Sequence, residues 1–357
     1  MDISGLQKLL KLFTKDSVTM DEAMKVVNHP AFSEMIKHRR SLGYIPKPWI
    51  TKKRLGKFIK RAVSHKPLDM IWKWLNPWNL FGLADISINL QRYQRLIDTI
   101  SYYGDDMVNQ VLKRISVFAP KDVVFRDHCS FAVGWGVRGW ATRKTCGVNI
   151  EHFKDDFRLL IRTISHETFH RLQLNVCPID QSVKNMHPKF DDLVHYPFPD
   201  KKDRKFYEVL TYIFLEGSAT FVGGLSSESQ MEKKAIEGLK LLREIRRAIY
   251  EETDFEETEK LLNSGLKSNG PFYALGYHMT NCIVDKYGSS AIVESLLEGS
   301  LWFFKRYFEA YRGISPNRRS EFLRFGRKIE EKVNELGSLV KKERRKNRRR
   351  EIPDQNS

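Results

Sequence analysis

The feature that most constrains this chain is a five-residue segment, His166-Glu167-Thr168-Phe169-His170, inside the helix-compatible run FRLLIRTISHETFHRLQL. Residues four apart on an α-helix stand one turn above each other on one face, so this spacing lets His166 and His170 direct two imidazoles at one metal ion. Glu167 lies about 100° round the helix, near enough to reach a water at such an ion without ligating it, which suits a general base. No Pro or Gly interrupts the stretch before Pro178, and Leu159, Leu160, Ile164 and Phe169 supply apolar faces to bury it.

A catalytic zinc site takes three protein ligands and keeps a fourth position open. The metzincin continuation needs Gly at position 173 and His at position 176, and the chain has Gln173 and Val176, which excludes that class. The better third ligand is Glu216 in FYEVLTYIFLEGSATFVGG, because a carboxylate in an apolar helix is costly unless it is paired or bound to a cation. Gly217, Ser218 and Ala219 follow it, and their small size predicts a close approach to the HExxH helix. His187, Asp191, Asp192 and His195 in the intervening loop are alternative ligands, and Glu216 at the exposed end of an ordinary amphipathic helix is another reading. Glu208, two turns earlier, has less apolar surroundings. A donor to the developing oxyanion is worth about 3 kcal/mol in comparable sites, and the segment GPFYALGYHM offers Tyr273, Tyr277 and His278. The same segment also reads as a Gly-Pro helix start packing into a core.

HETFH followed by EGSA, with Glu216 46 residues after His170, resembles the gluzincin division of the zinc metallopeptidases. The resemblance implies His166, His170 and Glu216 as Zn2+ ligands, Glu167 as the base, Tyr273 as the first of the oxyanion donors, and peptide-bond hydrolysis by a zinc-activated water. SFAVGWGVRGWAT and CGVNIEHF stand where these enzymes place the upper sheet and its edge strand. Gly139-Trp140-Ala141 would then pair with an extended substrate backbone, although a glycine in a hairpin accounts for itself equally well. GPFYALGYHMTNCIVDKYG, residues 270–288, is similar to a segment of uncharacterised zinc-dependent peptidases of that group. The likeness covers about residues 115–315. Leu215 stands where thermolysin-like enzymes carry Asn, and no Asp follows Glu216 closely, so substrate preference does not transfer.

The order of patterns predicts an α+β fold, predominantly helical. Helical spacing in residues 1–115 gives way between 117 and 150 to short β-branched and aromatic runs divided by glycine, and it returns from 151 to about 340. The expected organisation is a helical N-terminal region (1–115), a zincin-like domain with a small mixed sheet and the HExxH helix (116–335), and a basic, disordered tail (336–357). With 357 residues and 41% hydrophobic content, such a chain buries a core without staples. Four cysteines without a CxxC spacing point to a reducing compartment, and the lysine-interrupted N-terminus does not read as a signal peptide. The most apolar candidate span, 71–90, holds Lys73 and Asp85, so no transmembrane segment is expected and the location is read as cytoplasmic.

The net charge of +17 is not spread evenly. Residues 35–68 hold eleven Lys or Arg and no acidic residue, residues 341–350 hold eight against one, and the rest is essentially neutral. These two segments read either as solvated surface or as arms for a polyanion, nucleic acid or an anionic membrane surface. Tyr44, Trp49 and Phe58 could stack on bases, whereas Ile50, Leu55, Phe58, Ile59 and Val63 have the spacing of an amphipathic helix. Two functions are therefore in play: a peptidase acting on a peptide or protein substrate, and a nucleic-acid or anionic-surface binding protein with a structural or inactive zincin-like site. Glu167 favours catalysis, because a structural site has no use for a carboxylate beside its first ligand.

Overall fold

The computed structural model describes residues 1–41, 51–64, 83–124, 128–133, 138–153, 155–177, 198–224, 228–267, 270–312 and 323–351. Tyr44, Trp49, Ile50, His187, Asp191, Asp192 and His195 lie outside the described residues. The fold is α+β and predominantly helical, with one small mixed sheet. It divides into two compact units, one of residues 1–115 with 124–171 and one of 116–123 with 172–357. The sheet and most of the HExxH helix group with the N-terminal helices.

The first unit begins with α1 (Ser4–Phe13), α2 (Met20–Val27), α3 (Pro30–Ser41) and α4 (Lys52–Ser64). Thr19 starts α2 with a capping box: its hydroxyl accepts from the Glu22 backbone N–H, and the Glu22 carboxylate accepts from the Thr19 N–H. On α4 the amphipathic reading holds, with Leu55, Ile59 and Val63 buried and the helix packed on α2. α5 (Leu83–Ser116) kinks at Asn89, whose amide donates to Asp85 Oδ1 while Tyr93 donates its hydroxyl to Asp85 Oδ2. Three strands follow, β1 (Cys129–Ala132), β2 (Gly139–Ala141) and β3 (Cys146–Asn149), in the order β1-β3-β2. β1 pairs with β3 in parallel, and β2 pairs with β3 antiparallel at the sheet's edge. Trp140 faces Gly147 across that pair, and a Cβ at Gly147 would stand 2.0 Å from the indole, so only glycine lets the ring lie flat on β3. α6 (Phe157–Val176) then runs without a break into the second unit.

The second unit is built from α7 (Lys201–Gly223), α8 (Glu228–Arg247), α9 (Phe255–Gly265), α10 (Pro271–Tyr287), α11 (Ser290–Glu298), α12 (Ser300–Arg312) and α13 (Arg327–Glu351). Asp200 caps α7 through the N–H groups of Lys202 and Asp203, and Gly224 ends it at φ 65°, a left-handed position that suits glycine. α10 packs chiefly on α7 and α8, and its Gly276 meets Gly217 of α7 backbone to backbone. Ile329, Val333, Leu336 and Val340 are buried along one face of α13, and Lys332 forms an ion pair with Asp203 at 2.8 Å. The apolar spacing that begins at Ile329 carries the helix into the charged block as far as Glu351. No helix among the described residues is long and apolar enough to cross a membrane.

Candidate metal centre

α6 is buried along most of its length, with Leu160, Ile164, Phe169, Leu172 and Leu174 in the core. A helix hidden on most sides must bond its own polar side chains. Ser165 donates to the Ile161 carbonyl at 2.9 Å, Thr168 meets Cys146 Sγ at 3.5 Å, and Arg171 Nε donates to the Arg143 carbonyl at 3.1 Å. Gln173 donates to the Leu215 carbonyl at 3.0 Å and to Ser218 Oγ at 2.9 Å. Against this background the two histidines converge: His166 is 7% exposed, His170 is 5% exposed, and their Nε2 atoms stand 3.0 Å apart with the rings edge to face.

Glu216 completes the group. One ligand atom each from His166, His170 and Glu216 lies within 4.8 Å of the others, and among the described residues this is the group of three that could hold a metal ion. The donors fit zinc. Two imidazole nitrogens bound tetrahedrally at 2.0–2.1 Å would stand roughly 3.3 Å apart, close to the separation observed, and two histidines with one carboxylate leave a fourth position open. Glu208, another carboxylate on α7, is instead paired with Lys205 Nζ at 2.9 Å.

Glu167 follows the first histidine and is buried. Its carboxylate lies against the start of the edge strand: a Cβ at Gly139 would stand 2.5 Å from Oε1 and 2.7 Å from Cδ. Of the three oxyanion candidates, Tyr273 is half-buried in the first turn of α10. The Tyr277 ring packs on Phe221 at 5.5 Å and against Met231, Ala235 and Ala274. His278 is packed beside Cys282 Sγ and the Tyr307 ring, and burial holds its pKa below the usual histidine range although Glu232 opposes the shift.

The profile of a family described as "Putative zinc dependent peptidase (DUF5700)" matches residues 24–314. The chain belongs to that family. No curated protein and no solved structure matches it. The DUF5700 match takes in His166, Glu167, His170, Glu216 and Tyr273, and it begins well before residue 115, so the N-terminal helices from α2 onward belong to the family's extent. Two features of this DUF5700 chain were not recognised in the sequence. Gln173 entered only as a mismatch to another class, although a buried amide on the face of the two histidines was a signal. Ser218 touches the HExxH helix as expected, but Gly217 serves a different neighbour, Gly276 of α10.

Proposed function

We propose that this protein is a peptidase of the gluzincin type, with zinc held by His166, His170 and Glu216 and with Glu167 as general base. The observation that carries the reading is the convergence of those three ligand atoms within 4.8 Å, on two helices and beside a buried glutamate. Bound zinc supplies Lewis acidity, polarising a carbonyl and lowering the pKa of water toward neutrality. Glu167 accepts the proton of the attacking water and delivers it to the leaving amine. β2 offers its outer edge to an extended substrate backbone, and the bare Cα of Gly139 keeps that edge close to Glu167. Tyr273 is the proposed oxyanion donor. A reducing, cytoplasmic setting is part of this reading, and all four cysteines are buried thiols.

The test is elemental analysis together with hydrolysis of a mixed peptide library, on the wild type and on two variants. About one zinc per chain is expected in the wild type. Glu216→Ala should lose metal, whereas Glu167→Gln should keep it and lose activity by at least about 100-fold. A wild type that takes up no zinc when it is supplied sinks the reading. A second reading, capture of a polyanion, draws on α4, whose Lys53, Lys57, Lys60 and Arg61 are exposed on a helix without an acidic residue.

A further inference from the structure

We propose that Gln173 positions Glu216 for metal binding. The inference rests on the zinc reading above. Gln173 is fully buried, and a primary amide removed from water costs stability unless its N–H groups are bonded. Its Nε2 donates both hydrogens to α7, one to the Leu215 carbonyl at 3.0 Å and one to Ser218 Oγ at 2.9 Å. Ser218 in turn donates to the Phe214 carbonyl at 2.7 Å, which leaves a lone pair of its hydroxyl for the amide. Leu215 directly precedes Glu216 and Ser218 stands two residues after it, so the amide grips the turn that carries the glutamate.

Helix register supplies a second constraint. Gln173 stands seven residues after His166 and three after His170 on the same unbroken helix, hence on their face. The element that presents the two imidazoles therefore also binds the turn that presents the carboxylate, fixing its rotation and its height along α6. Few other side chains can do this. A leucine of similar size offers no donor, and a glutamate would set its charge against the Leu215 carbonyl. The small residue at 218 has the same logic, because a larger one would push α7 away from the amide. Gln173 is a positioning residue outside the group of three ligands, and it acts through the turn of α7 that it holds.

Gln173→Leu and the milder Ser218→Ala separate this role from simple packing. Zinc dissociation constants would be measured by chelator competition, visible spectra recorded on the cobalt-substituted proteins, and urea unfolding followed on the metal-free proteins. Gln173→Leu should bind zinc 10–100-fold more weakly, the range for residues that orient metal ligands. Its cobalt spectrum should be altered, and Ser218→Ala should change both in the same direction by less. If Gln173→Leu does not fold, Ser218→Ala alone decides. Zinc affinity and cobalt spectrum equal to wild type in the folded variants overturn the proposal, even if metal-free stability falls. A wild type that binds no zinc fails the zinc reading itself, a result distinct from wild-type binding with unaffected variants.

Discussion

A methyl group added at Gly139 would occupy space that the Glu167 carboxylate fills, with contacts of 2.5–2.7 Å to Oε1, Cγ and Cδ. Oε1 and Cδ are the far end of a side chain that can swing about its Cβ, so the fold should accommodate the change while the carboxylate moves. Displacement of a reacting group by about 1 Å costs on the order of 100-fold in rate. Gly139→Ala is accordingly expected to lower kcat by 10–100-fold, with KM, zinc content and melting temperature near wild type. Unchanged kcat in a zinc-loaded variant would show that the close approach has no bearing on the base. The place of Glu167 beside His166 was legible, because it is a spacing of one residue. Its contact with Gly139 joins positions 28 apart and depends on how β2 is laid beside α6.

α7 and α10 cross where two glycines meet. A Cβ at Gly276 would stand 2.0 Å from the Ile213 carbonyl oxygen and 2.7 Å from the Gly217 Cα, atoms of backbone that cannot rotate aside. Gly276→Ala should therefore destabilise the protein by about 1–3 kcal/mol or more, read as a lower midpoint in urea unfolding. Zinc affinity should fall as well, since α7 carries Glu216 one residue before the crossing. A midpoint equal to wild type would mean that the helices separate without cost. The small residues after Glu216 were visible as a device for close packing. Their true partner was not, because any of several helices could meet them and the sequence offers no pairing signal between helices comparable to strand alternation.

On the scale of the whole molecule the charge is uneven. The net +17 resides in two segments, and in the first of them the outward face of α4 presents Lys53, Lys57, Lys60 and Arg61, since its apolar side is turned onto α2. If that face captures a polyanion, a single-stranded oligonucleotide should bind at low salt and be released steeply as salt rises. Changing Lys53, Lys57, Lys60 and Arg61 together to Gln should flatten the dependence of log K on log salt by about 0.7 per contact removed. Lack of binding at low salt, or an unchanged slope in the variant, disposes of this second role. The other basic segment is carried on α13, which extends through it to Glu351. A helix propagates cheaply once packing has nucleated it, so burial of Ile329, Val333, Leu336 and Val340 supports turns beyond the last apolar residue.

By itself the sequence determined what depends on near neighbours: the helix that carries His166, Glu167 and His170, the change from helical to strand spacing near 117–150, and the amphipathic face of α4. Each is a periodicity over a few turns or a few alternations, and the hydrophobic effect converts it directly into an element with a buried side. The carboxylate beside the two histidines could only be narrowed to a set, because one 46 residues from His170 joins them only when chain folding brings it within reach. Tertiary structure decided that, along with the grip of Gln173 on α7 and the closeness of Gly139 to Glu167. These are agreements of distance between distant segments, fixed by the packing of whole elements rather than by any local pattern.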